Sequence, residues 1–343
     1  MDSGVVQQAR HLAEELLFPA AGEVDRAERV PGRLLDALAG NGFYGIGAPA
    51  ELSGLDLDDA GRAAVTEAFA GGCLAAAFVW MQHRGAVRAV AASGSDAAAR
   101  LLPDLVAGRV RAGIAIGAAT RTGPPVIRAT ADPDPAAPGG PGGPGGWRFD
   151  GTAPWVTGWG MIDTLLMTAR DERDQLIWAL IPTDAAGLRA EPLDLVAVRA
   201  SGTVTLTVDA VRVPADRVLR IEPHAAYLAR DAESLAGNGF LALGVAGRAI
   251  SLLGSTALDR ELRRARRRLL AATGDDAPQA RAAAGELALR AAGALAVHQG
   301  SGSVLASSHA ARLIREATFL LTFGTRPSIR AALLDRLGAT RPR

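Results

Sequence analysis

The residues of this chain whose types and spacing could do chemistry are few, and the most conspicuous lie in GTAPWVTGWG, residues 151–160. There Trp155 and Trp159 flank Thr157, in a chain that is only 4% aromatic. Strand-rich segments commonly use tryptophan to fill a core, so packing is one interpretation of both side chains. Indoles beside a hydroxyl could instead contact a ligand, and the surrounding segments must decide between the two.

The other candidate groups form no recognisable site. The sequence has no metal-ligand spacing such as His-x-x-x-His, no Gly-x-Ser-x-Gly elbow and no Walker loop. His83, in VWMQHRGA, is interpreted as a surface histidine with satisfied hydrogen bonds. Cys73 is the single cysteine, which excludes an intrachain disulfide and suggests a small buried side chain. We therefore predict no metal site.

Composition excludes several classes of partner. The 343 residues carry a formal net charge of +1, so no electrostatic attraction to nucleic acid or to an anionic membrane is expected. The segment MDSGVVQQARHLAEELLF has no basic region followed by an apolar run, unlike a signal peptide. No uncharged stretch of about 18 apolar residues occurs. These features predict a soluble, cytoplasmic protein with no nucleic-acid or membrane partner.

Apolar residues recur at helical spacing in the first third of the chain. Residues 4–18 show this spacing, and Pro19 follows where a helix commonly ends. PGRLLDALAGN, residues 31–41, opens with proline and closes with Gly-Asn, the usual polarity of helix ends. Further helices are predicted over residues 57–70 and 73–107. Together they form a predicted N-terminal helical domain, residues 1–108.

The pattern then changes to the alternation of strands. In residues 203–213 valine and leucine alternate with threonine, which buries one face of the strand. Strands are predicted over residues 113–118, 126–131, 163–169, 176–182 and 203–213. Residues 132–146 are so rich in proline and glycine that we predict a flexible loop between two strands. The predicted β-domain spans residues 109–222.

Long Ala-, Leu- and Arg-rich helical patterns return in the last third. Helices are predicted over residues 242–254, 258–272, 278–299, 306–322 and 327–337. They form a predicted C-terminal helical bundle, residues 223–343. Its wide Ala/Leu faces favour a homo-oligomer, a dimer or tetramer, that pairs through this bundle. Helices at both ends and strands between them indicate an α+β fold.

Three segments, in register, resemble the acyl-CoA dehydrogenase family. Residues 146–170 are similar to its Gly-aromatic-x-x-x-Gly-Thr-x-x-Trp-Ile-Thr segment, and residues 192–219 to its strand that closes in Val-Pro-x-x-x-Val-Leu. Residues 313–330 resemble the helix that reaches its Glu-Gly-Thr turn. The likeness follows nearly the whole chain. It implies the family's fold: an N-terminal helical domain, a central β-barrel domain and a C-terminal helical bundle.

The resemblance also implies a cofactor and a substrate class. In the family the Trp-Ile-Thr segment lies along the flavin ring of FAD, and the matching residues here are Trp155, Val156 and Thr157. An indole can cover a flat ring, and a hydroxyl can tune a flavin atom by a hydrogen bond. The implied substrate is an acyl thioester, from which the family removes an α-proton with a carboxylate and a β-hydride with the flavin. Packing of both tryptophans within the barrel remains the alternative.

The catalytic carboxylate of the family is missing. Where the family has its Glu-Gly-Thr turn this chain has Phe323-Gly324-Thr325, and phenylalanine cannot accept a proton. Some members place the base earlier, at the position that falls near Gly237 or Asn238, which are not acids. Asp231 and Glu233 lie nearby in the sequence and are weak candidates for the base.

Two binding segments also depart from the family. GAATRTGPP, residues 117–125, replaces a loop with acidic and Gly-Ser-Asp residues, leaving the hydroxyls of Thr120 and Thr122 as candidate cofactor contacts. The Arg-x-x-Phe-Gly segment, which holds the cofactor's pyrophosphate, has no counterpart. The arginine-rich stretch 260–268 could bind phosphate, although a leucine stripe through it favours the solvated face of a helix. HQGSGS, residues 298–303, resembles the family's Gly-Gly-x-Gly turn.

Three functions therefore stay open on the sequence. The first is an FAD-dependent oxidoreductase that acts on an acyl thioester or a related small substrate. The second is a flavin-dependent monooxygenase of the same fold, which needs no carboxylate base. The third is a non-catalytic family member that has lost flavin binding. Flavin in the purified protein would argue against the third.

Overall fold

The computed structural model describes residues 4–52, 54–55, 57–132, 145–233 and 235–339. The chain begins with the helices α1 (Gly4–Leu12), α2 (Phe18–Arg26), α3 (Gly32–Gly40), α4 (Asp59–Gly72), α5 (Leu74–Ala91) and α6 (Asp96–Val106). Side chains cap two of them, because Asp58 accepts a hydrogen bond from Gly61 N and Ser95 accepts one from Ala98 N.

The predicted helix end at Pro19 is wrong. Residues Ala13–Leu17 form a π turn, and the helical path continues through Pro19 to Arg26. In a regular helix, proline lacks the N–H for the backbone hydrogen bond and its ring collides with the carbonyl four residues earlier. The wider π turn before Pro19 accommodates the ring, so the helical path continues. Gly72 faces this turn, where an added Cβ would come within 2.8 Å of the Leu17 Cβ.

The middle of the chain forms one eight-stranded sheet. Its strands are β1 (Ala112–Ala115), β2 (Ile127–Asp132), β3 (Gly146–Val156), β4 (Thr164–Arg170), β5 (Gln175–Pro182), β6 (Leu188–Pro192), β7 (Val204–Pro214) and β8 (Val218–Pro223). The spatial order is β6-β7-β3-β2-β4-β5-β8, with β1 parallel to β4. Neighbours along this order pair antiparallel except β2 and β4, which meet in a parallel pair at Arg128 and Arg170.

Two predictions for this region need comment. The strand expected over 113–118 is wrong at its end, because it stops at Ala115 and a short helix, α7 (Gly117–Thr120), follows. The Thr120 hydroxyl donates to the carbonyl of Ile116, which stabilises that helical turn. The expected Pro/Gly-rich loop falls largely on residues 133–144, which lie outside the described residues; Asp132 and Gly146 at its ends are paired.

The last third is helical. Its helices are α8 (His224–Glu233), α9 (Gly239–Leu253), α10 (Thr256–Ala271), α11 (Asp276–Gln299), α12 (His309–Thr322) and α13 (Pro327–Arg336). Helices α4 and α9 cross closely at glycines, since a Cβ on Gly244 would lie 2.4 Å from the Glu67 carbonyl oxygen. The two helical parts therefore share one core.

The predicted order of helices, strands and helices is confirmed. The domain boundaries at 108/109 and 222/223 stay a prediction. Within the described part of the chain no helix is long and apolar enough to cross a membrane.

His83 is buried, so its interpretation as a surface histidine is wrong. Its Nδ1 accepts a hydrogen bond from Ala112 N at 3.0 Å, and its Nε2 donates to the Leu105 carbonyl at 3.0 Å. The ring thereby joins α5, α6 and β1 in its neutral form. Burial lowers the pKa of His83 to about 3.

This burial predicts acid lability. Since the folded-state pKa lies below the ordinary value, the unfolded chain takes up a proton first, and stability falls as the pH drops from about 6.5 towards 3. Between pH 7 and pH 5 His83 should cost roughly 2 kcal/mol of unfolding free energy. In His83→Gln, which keeps one donor and one acceptor, urea unfolding should show a smaller loss over this range. Equal losses in both proteins would contradict the assignment.

Candidate functional site

Trp155 combines an unusual backbone conformation with an exposed side chain. It lies near the end of β3, where the pairing with β7 is irregular between Ala153 and Val156. Its φ is +64° and its side chain is 62% exposed. Bulky residues rarely adopt positive φ, and such strain concentrates at functional sites. Val156, the next residue, is buried in the core of the β-domain.

Thr157 is fixed by a chain of hydroxyls. Its Oγ1 lies 3.0 Å from Thr203 Oγ1, which in turn lies 2.8 Å from Ser201 Oγ. Thr157 is buried, and Gly158 N donates to the Ser201 carbonyl at 2.9 Å. Trp159 packs partly buried against the β-domain core. The two tryptophans thus differ: Trp159 contributes to packing, whereas Trp155 is mostly exposed to solvent.

Of the two hydroxyls predicted as cofactor contacts in segment 117–125, only that of Thr122 is exposed. Thr120 is buried and its hydroxyl is used within α7, whereas Thr122 is exposed. The Thr120 carbonyl accepts a hydrogen bond from His224 Nε2 at 3.0 Å. Thr122 therefore has a hydroxyl exposed to solvent, and Thr120 contributes to the shape of the segment.

Arg170 and His224, which sequence reasoning missed, hold this segment in place. Arg170 Nη1 lies 2.7 Å from His224 Nδ1, and Arg170 Nη2 donates to the Gly123 carbonyl. Arg170 Nη1 also forms a salt bridge with Asp174 Oδ1 at 3.3 Å. Because 54 residues separate Arg170 from His224, no local pattern predicts this contact.

Phe323 lies in a cluster of aromatic rings. It caps the end of α12, and its ring meets Phe78 edge-to-face at 4.7 Å and Phe319 in a stacked arrangement at 5.5 Å. Phe78, Phe319 and Phe323 are named here the aromatic cluster. Gly324 follows with a φ of +56°, which glycine adopts without strain. The turn therefore presents an apolar ring at the position that the resemblance assigns to a carboxylate.

Asp231, one of the two weak candidates for a base, is not a free carboxylate in the structure. Arg326 donates to both oxygens of Asp231, at 2.8 and 3.0 Å, and the Tyr227 hydroxyl lies 3.3 Å from one of them. Glu233 ends α8, and its side chain lies outside the described residues. The candidacy of both as bases stays a prediction.

A buried cation, Arg281, lies directly behind the turn. Its Nη2 donates to the Phe323 carbonyl at 2.6 Å and its Nη1 to the Leu235 carbonyl at 3.3 Å. Burial, and then the charge of Arg326, lower the pKa of Arg281 to about 10. Its place in the sequence PQARAAAG, an arginine among small apolar residues, is a signal that sequence reasoning passed over.

The arginine-rich stretch on α10 is partly structural. Arg266 binds both oxygens of the buried Glu67 on α4, with contacts of 2.6 to 2.9 Å. Arg263 pairs with Asp259 one turn earlier. Leu262 and Leu269 are buried as the stripe predicted, whereas Leu270 is exposed. We therefore assign α10 mainly to packing and solvation.

Comparison with known proteins finds a matching family model and a curated relative. Residues 3–109 match the family model described as acyl-CoA dehydrogenase, N-terminal domain. The 3-sulfinopropanoyl-CoA desulfinase of Paraburkholderia xenovorans (strain LB400) is 26% identical over 216 residues, which are 61% of this chain and 54% of that protein. The match therefore spans about half the length of this curated relative.

Solved structures share the fold over the whole chain. Butyryl-CoA dehydrogenase from Megasphaera elsdenii superposes with a TM-score of 0.80 at 19% identity, covering 98% of each chain. The protein PigA, solved as its FAD complex, gives a TM-score of 0.80 at 16% identity over 98% of this chain and 97% of that one.

The α+β fold with helical domains on both sides of a β-domain is thus that of the acyl-CoA dehydrogenases. Residues 3–109 thus match the N-terminal domain of the acyl-CoA dehydrogenase family, and the whole chain is similar in fold to that family's solved structures.

Proposed function

We propose that this chain is an FAD-binding flavoprotein that acts on an acyl thioester without the carboxylate base of its family. The observation that carries the proposal is the turn after α12, where Phe323 packs into the aromatic cluster. Asp231, the candidate base whose side chain the structure describes, is bound to Arg326. A reaction that needs no positioned base fits this site better than α-proton removal.

The residues at the end of β3 fit the ring of a flavin. The exposed indole of Trp155 would cover it, with Val156 and Thr157 as the rigid support and Thr122 exposed on the neighbouring segment. A bound flavin supplies two-electron redox chemistry. The fit is poorer at the pyrophosphate end, because only Gly254 and Ser255 separate α9 from α10, where the family has its Arg-x-x-Phe-Gly segment.

The acyl-thioester class is supported by the relatives. The curated relative is named for its action on 3-sulfinopropanoyl-CoA, and one solved structure is a butyryl-CoA dehydrogenase. The fold likewise supports a flavoprotein oxidoreductase. The cytoplasmic location stays a prediction from the sequence.

The absorption spectrum of the purified protein is the first experiment. Bound FAD, released by heat and identified by chromatography, supports the proposal. A protein that stays colourless after incubation with FAD would favour the non-catalytic alternative, to which the short α9–α10 connection also points. Anaerobic bleaching of bound flavin by an acyl-CoA then separates oxidoreduction of thioesters from the monooxygenase alternative.

Trp155→Ala should weaken flavin retention. Loss of the indole removes a stacking surface, and we expect a loss of affinity on the order of 1–3 kcal/mol if it resembles other aromatic contacts. Fluorescence titration with FAD measures it. Trp155→Phe, which keeps a ring, should retain most of the affinity. Unchanged flavin content in Trp155→Ala would assign the indole to packing.

We also propose that the protein is a homo-oligomer, a dimer or tetramer, that pairs through its C-terminal bundle. The Ala/Leu face of α11 is largely covered within the chain by α9, α12 and α13, so it cannot be the contact. Three apolar side chains remain exposed in the last turn of α11 and the segment that follows it: Val297, Val304 and Leu305. A second copy of the chain would cover them.

Light scattering at micromolar concentration should therefore give at least the mass of a dimer. Val297→Lys with Leu305→Lys places two charges in the proposed contact and should shift the protein towards the monomer. Ile221→Lys, at an exposed apolar residue of the β-domain, is the matched control and should leave the mass unchanged. A monomeric wild type would refute the assembly.

A further inference from the structure

Arg281 is a buried cation, and no carboxylate among the described side chains forms a salt bridge with it. The residue is only 7% exposed. Its two hydrogen-bond acceptors are the neutral carbonyls of Leu235 and Phe323. A guanidinium carries five N–H donors, and among the described residues only these two bonds engage them. Donors therefore remain for a ligand.

The charges around Arg281 leave its own charge incompletely balanced. The like charge of Arg326 disfavours the charged form of Arg281, and the negative charge of Asp231 favours it. Asp231, however, gives both oxygens to Arg326. Burying an ionised group without a paired counter-charge is costly, so an anion bound beside Arg281 would be stabilised.

Two side-chain nitrogen atoms, one of them from this guanidinium, converge closely on Gly324. A Cβ built on Gly324 would meet only two heavy atoms within 4 Å beyond its chain neighbours, Arg281 Nη2 and Asn238 Nδ2, each at 3.2 Å. Both are nitrogen atoms that carry hydrogens. Arg281, Asn238 and the Gly324 backbone are named here the donor niche.

The donor niche brings together the two places where the family resemblance expects a base. One is the turn Phe323-Gly324, and the other is Asn238, at the position before the glycine-rich helix. Neither holds an acid, and a cation lies between them. The donor niche is therefore electrostatically opposite to the site of a general base, because its positive charge disfavours a proton and favours an anion.

We propose that the donor niche binds a carboxylate, or another oxyanion of that size, at the acyl end of the substrate. This inference rests on the proposed function, since it names the substrate class of the same site. The guanidinium supplies charge-assisted hydrogen bonds and the Asn238 amide adds a neutral one. The aromatic cluster beside it would contact the apolar part of the acyl chain.

Succinyl-CoA and butyryl-CoA provide a matched pair of probes, because both acyl groups have four carbons and only succinyl carries a carboxylate. Calorimetric titration of the flavin-loaded protein should give a dissociation constant about tenfold or more lower for succinyl-CoA, the usual strength of a charge-assisted bond. Asn238→Asp places a carboxylate in the donor niche and should bring the ratio of the two constants to about one or invert it. Gln7→Glu adds the same charge on the exposed face of α1 and should keep the wild-type ratio.

The outcomes separate this inference from the proposed function. Equal affinities in the wild type, or a preference that survives Asn238→Asp, would overturn the anion site and leave the thioester function standing. If neither CoA ester binds, the thioester function fails. Sodium succinate must then raise the Tm of the wild type more than sodium chloride at equal ionic strength, and lose this effect in Asn238→Asp. Without that shift the donor niche is refuted as well.

Discussion

Wild-type protein loaded with FAD should dehydrogenate butyryl-CoA very slowly or not at all, because no carboxylate stands at the turn after α12. A positioned base is typically worth about 10²–10⁴ in rate. Phe323→Glu supplies a carboxylate at this position, between the rings of Phe78 and Phe319. Burial against these rings raises the pKa of such a carboxylate, whereas the cation of Arg281 behind the turn lowers it and keeps the group ionised as a base. Turnover with an artificial electron acceptor and a panel of acyl-CoAs measures the difference.

The matched control is Phe319→Glu, which adds the same charge to the aromatic cluster one turn earlier on α12. It should not produce activity. Robust turnover by the wild type would show that another residue is the base, and Asp231 and Glu233 would be the first to replace. Inactivity of both wild type and Phe323→Glu would mean that the departures in segment 117–125 and after α9, and not the base alone, removed this chemistry.

Arg312→Met should lower the free energy of unfolding by about 3–5 kcal/mol at pH 7, the usual cost of leaving one partner of a buried ion pair. Arg312 and Glu316 lie one turn apart on α12, 2.8 Å from each other, with side chains only 2% and 5% exposed. Burial raises the pKa of Glu316 and Arg312 opposes that rise. Without the guanidinium the carboxylate is buried alone in the helix that positions Phe323.

Urea unfolding of three variants tests this argument. The double variant Arg312→Met/Glu316→Leu should recover most of the unfolding free energy that Arg312→Met loses, because the apolar pair carries no buried charge. Arg263→Met breaks a pair of the same spacing with Asp259 on the exposed face of α10, and should cost about 1 kcal/mol or less. If Arg312→Met costs as little as Arg263→Met, about 1 kcal/mol or less, Glu316 is already protonated in the wild type.

Local patterns predicted the secondary structure where one face of an element is buried. The alternation of threonine with valine and leucine in residues 203–213 corresponds to β7, and the Pro-to-Gly polarity of residues 31–41 to α3. The same reasoning failed at Pro19, because the continuation of that helix depends on a π turn packed against Gly72. No local propensity contains that contact.

The candidate site was only partly predictable. The resemblance drew attention to Trp155 and Phe323, and no pattern distinguished the exposed Trp155 from the packed Trp159. Trp155 lies where the pairing of β3 with β7 is irregular, and Trp159 lies beyond the end of β3. Arg281 escaped notice because its partners, Leu235 and Phe323, are more than 40 residues away.

The sequence by itself determined the order of helical and strand segments and the absence of an acid at Phe323, because periodicity and residue type are local properties. The tertiary structure alone decided which charges are paired and which are buried. Asp231 became the partner of Arg326, and Arg281 was left with neutral carbonyls beside Asn238. Burial and distance between remote segments set these energies, and they exist only once the chain is folded.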